Sequence, residues 1–250
     1  MALSSLLRMT LSKKISWNEE IMITRFKRAL DRLQGVKDSY ALDQLDLKLL
    51  EFINFSKGFF VEAGANDGVR YSNSLYFEKH MKWQGLLIEG IPALAEKCRQ
   101  NRPDSIVENC ALVSFDYSGS TIDMQYSNFM SIVKGAFGSE EEDNKYLQTG
   151  EKFLPEGEKT YTVTVPAKTL SSILDEYNIQ KVDLLSLDVE GYELNVLQGI
   201  DFSRHAPSYL LLEIWHDKKD NIFHAIAPYY EQLSILNSND SYADILFQKK

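Results

Sequence analysis

Cysteine is scarce in this 250-residue chain, which has only Cys98 and Cys110. No disulfide framework can hold the fold, so a hydrophobic core must. Long apolar runs are missing too. None approaches the roughly 20 residues that cross a bilayer, so no transmembrane segment is expected. The opening stretch, "MALSSLLRMTLSKK", lacks a signal-peptide core and a cleavage site. Internal repeats and low-complexity tracts are absent. A soluble, cytoplasmic protein is the expectation. Two nucleotide signatures are also missing. Gly-x-Gly-x-x-Gly would need glycine where Asn66 stands, and a P-loop would need Lys-Ser/Thr where Val69-Arg70 follow Gly68.

Cations are in deficit, and unevenly so. Residues 1–40 hold eight Lys and Arg against four Asp and Glu, whereas the whole chain carries a net charge of −9. The rest of the chain is therefore strongly acidic. Binding of nucleic acid is not expected, because phosphate contacts need clustered cations. The N-terminal segment reads as an amphipathic helix with Met22, Phe26, Leu30 and Leu33 on one stripe, opened by a Ser16–Glu19 capping box. It would pack on the acidic body, or serve a homo-oligomer or a peripheral surface contact. The expected organisation is a helical extension over 1–45 and a domain over 46–250, with an insertion at 116–165.

With 44% hydrophobic residues there is enough apolar side chain for one well-buried domain. From Gly58 onward, apolar strands alternate with helical stretches. Strands are predicted at "GFFVEAG", "GLLIEG", "SIVENCALV" (105–113), "YTVTVPAKTL", "VDLLSLDVEG" and "SYLLLEIWH". Helices are predicted over "NSLYFEKHM", "PALAEKCRQN", "TLSSILDEY", "YELNVLQG" and "AIAPYYEQL", with an earlier one at 42–54. "LSIL" and "ADILFQ" close the chain as a strand pair. Residues 116–165, polar and with an acidic run Glu140–Asp143, read as loops and irregular strands. Alternation of this kind implies a parallel sheet covered on both faces, with ligands outside the carboxyl ends of the strands. Four of those ends carry an acid: Glu62, Glu89, Asp188 and Glu213. The turn from Glu62 through Gly64 to Gly68 would let backbone approach a ligand. Glu89, about one β-α unit later, suits a ribose, because a carboxylate accepts from both sugar hydroxyls.

"FVEAGANDG", "GLLIEG", "VENCAL" and above all "LLSLDVEGYELNVLQGIDF" resemble the FkbM family of class I S-adenosylmethionine-dependent methyltransferases, over roughly residues 58–216. "IEGIP" departs from the Glu-Pro more usual after the second strand. The resemblance implies a Rossmann-like three-layer α/β/α sandwich with a mostly parallel seven-stranded sheet. It implies S-adenosyl-L-methionine as cofactor, held by Glu62, Gly64, Asn66, Asp67, Gly68, Ser72, Glu89, Gly90, Asn109, Ala111, Leu112 and Asp188. The activity implied is methylation, with a hydroxyl on a small molecule or glycan as acceptor. A domain that kept the fold and lost turnover is the alternative.

Two chemistries fit the later acids. Either Asp188 or His216 serves as general base, with Glu213 beside them. Or Asp188 and Glu213 hold a divalent cation such as Mg2+ that binds a diol-like acceptor. Glu190 can also be read as an acid favoured at a helix N-terminus. Cys110, Trp83 and Trp215 read as core, and Tyr126, Phe129 and Met130 as either a substrate cover or a small local core.

Overall fold

Each apolar run that ends in an acid is a strand of one sheet. In the computed structural model, which describes residues 39–250, the main sheet has seven strands. They are β1 (Phe59–Ala63), β2 (Gln84–Ile88), β3 (Ile106–Glu108), β8 (Leu184–Leu187), β9 (Tyr209–Trp215), β10 (Tyr230–Ser238) and β11 (Tyr242–Lys249), ordered β10-β11-β9-β8-β1-β2-β3. Pairing is parallel from β3 to β9 and antiparallel at β9–β11 and β11–β10. The expected parallel sheet is thus met over five strands and gives way at one edge to a hairpin.

Strand periodicity divides the core into two. Val61, Ala63, Leu86, Ile88, Leu185 and Leu187 face one side, packed on α5 (Leu170–Glu176), α6 (Glu193–Leu197) and α8 (Lys219–Ile226). Phe60, Leu87, Leu184 and Leu211 face the other, packed on α1 (Leu45–Leu49), α2 (Leu75–Met81) and α3 (Pro92–Asn101). Side chains alternate across a strand, so continuous apolar runs here mean helices on both faces. Each such buried side chain contributes about 1.5–3 kcal/mol. The result is the expected three-layer sandwich.

Several local readings need correction. The run 105–113 is not one strand. β3 stays on the main sheet, and β4 (Ala111–Leu112) leaves to pair with β7 (Tyr161–Lys168). Asn109 stands at this corner, where its Nδ2 donates to the carbonyls of Glu89 and Gly90, each at 2.8 Å. Residues 116–165 are not irregular. They contribute β5 (Thr121–Tyr126), β6 (Ile132–Val133), α4 (Glu140–Gly150) and the start of β7 to a second sheet, β4-β7-β5-β6, and its cover. The acidic run is the first turn of α4, where negative charge opposes the helix dipole and Ser139 caps the Glu142 N–H. The helix predicted over "AIAPYYEQL" ends at Ile226, just before Pro228, and β10 begins at Tyr230. The helix predicted over 42–54 shrinks to α1, because Asp43 and Gln44 hold positive φ. A last short helix, α7 (Phe202–His205), precedes β9. The amphipathic N-terminal helix lies outside the described residues.

β1 is flanked by β2 and β8, so the strand order reverses there. That switch point opens a crevice at the carboxyl ends of β1, β2, β8 and β9. The second sheet and α4 supply its roof.

Candidate active site

A cavity of about 730 Å³ occupies the crevice, lined by Glu62, Gly64, Asn66, Glu89, Asp188 and Glu213 among others. All four strand-end acids predicted from the sequence meet in it.

The β1 turn is shaped by packing. Gly64 (φ +84°), Asn66 (φ +50°) and Gly68 (φ +78°) take left-handed conformations. A Cβ on Gly64 would stand 1.8 Å from the Asp188 carbonyl oxygen, so the glycine lets the β1 turn close against the end of β8. A Cβ on Gly68 would meet Arg102 Cγ at 3.0 Å. Glu62 is almost fully buried and satisfied within the protein. Its Oε1 accepts the Asn73 N–H at 2.7 Å, and its Oε2 accepts the Ser72 and Ser74 hydroxyls at 2.8 and 2.5 Å. Those hydroxyls also take N–H groups from Arg102, which contacts the Gly68 carbonyl as well. The "SNS" segment is therefore a bridge between a buried acid and a buried guanidinium.

Glu89 is also buried. Its Oε2 accepts the Asn66 N–H and its Oε1 the Ile91 N–H, each at 2.8 Å. Burial outweighs these bonds and pushes its pKa up to about 7. Each oxygen keeps acceptor capacity for a ligand hydroxyl.

Across the cavity lies a second acid group. Asp188, Glu190 and Glu213 each offer an oxygen within 4.8 Å of the others. Asp244, buried on β11 opposite Glu213, adds a fourth carboxyl. Asp188 Oδ1 is buried with no hydrogen-bond partner. Burial first, and then repulsion from neighbouring carboxylates, raises the pKa of Asp188, Glu190 and Glu213. The neighbours are Glu193, Asp244 and Glu62 for Asp188, and Asp188 foremost for the other two. Arg70 is the one basic side chain in the described lining. Glu190 reaches the group because it and Gly191 both hold positive φ, 54° and 87°. This turn is braced by Glu193, whose Oε1 accepts the Val189 and Gly191 N–H groups at 3.1 and 3.0 Å. The dipole reading of Glu190 accounts for neither its backbone nor its place in the cavity.

Of the other predicted residues, Ser72, Gly90, Ala111 and Leu112 line the cavity, whereas Asp67, Gly68, Asn109 and His216 do not. Asp67 folds back on the turn, accepting the Val69 and Arg70 N–H groups. His216 is exposed, with Nε2 at 2.8 Å from the Asn239 carbonyl oxygen. It stands just past the end of β9, in the turn that leads to α8. Phe129 and Met130 line the cavity, as a substrate cover would, while Tyr126 sits in the core of the second sheet. Trp83 and Cys110 are core, as expected, with Cys110 also touching the cavity, whereas Trp215 is cavity wall. Tyr146, not anticipated from the sequence, descends from α4, lines the cavity and donates its hydroxyl to Glu190.

The family profile described as "Methyltransferase FkbM domain" matches residues 62–238. A curated relative, methyltransferase sdnD of Sordaria araneosa, is 29% identical over 164 residues, covering 58% of this chain and 61% of its own. The chain thus spans about three fifths of that relative's length. Among solved structures, a methyltransferase FkbM from Methylobacillus flagellatus KT is 16% identical, with a TM-score of 0.49, over 86% of this chain and 49% of that one. A TehB-like SAM-dependent methyltransferase from Corynebacterium glutamicum is 12% identical, with a TM-score of 0.44, over 92% and 97%. The profile spans well over half of the sequence and takes in every strand-end acid of the cavity: the chain belongs to the FkbM methyltransferase-domain family.

Proposed function

We propose that this domain transfers a methyl group from S-adenosyl-L-methionine to a hydroxyl of a small molecule or sugar. The observation that carries the reading is Asp188 Oδ1, a buried, unpartnered carboxylate oxygen at the carboxyl end of β8 in the shared cavity. Methyl displacement from a sulfonium needs alignment above all, and an alcohol acceptor also needs its proton removed. As the acceptor oxygen takes the methyl carbon, the carbon–sulfur bond breaks and the proton passes to a carboxylate. Glu89 and the Gly64–Asn66 turn would hold the cofactor, and Asp188, Glu190 and Glu213 the reacting hydroxyl. Incubation with methyl-labelled cofactor and a panel of hydroxylated acceptors, read by mass spectrometry, tests this. A methyl ether is expected; label found only on amines or carbon would overturn the assignment. A scaffold that lost turnover need not bind the cofactor at all, so titration calorimetry separates that alternative.

A second reading is favoured by one observation, the mutual proximity of the Asp188, Glu190 and Glu213 oxygens. Hard oxygen donors in this number suit Mg2+, which would offset their repulsion and bind a diol-like acceptor.

The Glu89 environment gives a pH test. Its folded pKa lies near 7, so at pH 6 most molecules must lose a proton before the carboxylate can accept ribose hydroxyls. Cofactor affinity should therefore rise as pH climbs from 6 to 8, by at most about tenfold per unit below the pKa. Glu89→Gln should bind about 1.5–3 kcal/mol more weakly and lose this dependence. Calorimetry at pH 6, 7 and 8 decides, and identical profiles for the two proteins would place the ribose elsewhere.

A further inference from the structure

Lys218, which follows β9 and caps α8, does not line the cavity, yet its ammonium is half-buried among neutral partners. Its Nζ donates to the Ala136 carbonyl at 2.7 Å and to the Gly191 carbonyl at 2.5 Å, and sits 4.6 Å from the centre of the Phe137 ring. No carboxylate lies within salt-bridge distance of it among the described residues, and burial lowers its pKa. Partly desolvating an ammonium is costly unless its donors are satisfied, and here carbonyls of two separate segments satisfy them.

The two carbonyls belong to the two parts that must meet. Gly191 ends the left-handed turn that presents Glu190, and its N–H is already held by Glu193. Lys218 takes the carbonyl of the same residue, so the turn is gripped from both sides. Ala136 lies in the roof, in the loop between β6 and α4. That loop is braced by buried Asp143, which accepts the Gly135 and Phe137 N–H groups at 2.5 and 3.0 Å. Phe137 stacks on Tyr146 at 4.5 Å and meets Trp215 edge-on at 5.4 Å. Tyr146 completes the circuit by donating to Glu190.

We propose that Lys218 is a positioning residue, a clasp that ties the roof of the cavity to the Glu190–Gly191 turn and so fixes Glu190 and Tyr146 over the acceptor end of the site. Its functional meaning rests on the methyl-transfer reading above, but the clasp itself is measurable without an acceptor. Lys218→Met keeps the aliphatic stem and removes the donors, while Lys218→Arg keeps the cation and can reach two carbonyls. In Lys218→Met, hydrogen exchange should accelerate at least about tenfold in peptides covering 134–147 and 188–191, but not in β1 or β2. Acrylamide quenching of tryptophan fluorescence should rise, and the increment should vanish when Trp215 is also replaced by Phe. S-adenosylmethionine affinity should stay within about twofold, and Lys218→Arg should restore exchange and quenching.

Unchanged exchange and quenching in Lys218→Met would overturn the proposal. So would acceleration throughout the domain with lost cofactor binding, which would make Lys218 a general stability residue. Failure of the arginine variant to rescue would rule out the donors as the agent. Should the wild-type domain itself fail to bind cofactor, the methyl-transfer reading falls while the exchange result still judges the clasp.

Discussion

Arg102→Met should be the most destabilising single substitution around the β1 turn, at about 3–5 kcal/mol. Arg102 has no solvent exposure and uses its whole guanidinium. Nε and an outer nitrogen hold Glu78, each at 2.8 Å. Further N–H groups reach the Gly68 carbonyl at 2.8 Å and the hydroxyls of Ser72 and Ser74 at 3.3 and 3.2 Å. The Phe60 ring lies 5.4 Å from the guanidinium carbon. Methionine fits the volume, but it removes the cation beside Glu78, leaving that carboxylate to the Ser105 hydroxyl, and takes the guanidinium donor from the Gly68 carbonyl. Arg102→Lys would restore little, because a point charge on a flexible stem cannot satisfy a fork of four acceptors. Urea unfolding should show a lower midpoint with an unchanged slope. A loss below about 1 kcal/mol would mean that water replaces the guanidinium, and that the 68–74 loop is held by Glu62 alone.

Arg102 also marks where the sequence stops being legible. In "KCRQNRPD" an arginine at a helix end reads as a solvated charge. Its burial exists only once the Gly68 turn, 34 residues earlier, folds onto it. The strand-end acids were readable because a continuous apolar run stopped by a carboxylate is a local pattern. His216 follows the same apolar run as Glu213, and only the fold shows that it stands in the turn after β9, against the Asn239 carbonyl.

The roof was unreadable for a different reason. β5, β6 and β7 are short or solvent-facing strands, and β5 pairs with β7 across about 41 residues of chain. Tyr146 becomes a cavity residue only through its stack with Phe137 and its edge contact with Trp215. Neither contact leaves a trace in spacing along the chain. Glu190 was half legible. The "DVEG" block was recognisable, but a left-handed glutamate cannot be told from a helix-start glutamate without its backbone angles. Residues held in such conformations by their surroundings cluster at working sites, and here the surroundings are Glu193, Lys218 and Tyr146.

Asp188→Asn should separate chemistry from both binding and folding. Methyl transfer to an authentic acceptor should fall by about 10²–10⁴, the usual range for losing a general base. Cofactor affinity should stay near normal, because Asp188 belongs to the acid group across the cavity from Glu89. The structure adds an expectation about stability. Asp188 sits among Glu193, Asp244 and Glu62, all of which repel its charge, and its Oδ1 finds no donor. An amide of the same size removes that repulsion and can donate to Glu190 or Glu213. The variant should therefore be as stable as the parent or more so, by about 0.5–2 kcal/mol, as expected when a working group is held against the preference of the fold. This gain should be largest at neutral pH and above. The folded pKa of Asp188 is raised above its unfolded value, so the aspartate costs stability once pH exceeds the unfolded pKa, and in full above the folded one. Thermal melts at pH 5 and pH 8, beside the transfer assay, test both halves. Excess Mg2+ that partly restores transfer would favour the cation site over the base. Retained transfer in a stabilised variant, with no added metal, would strip Asp188 of either role and leave its buried charge without a functional cause.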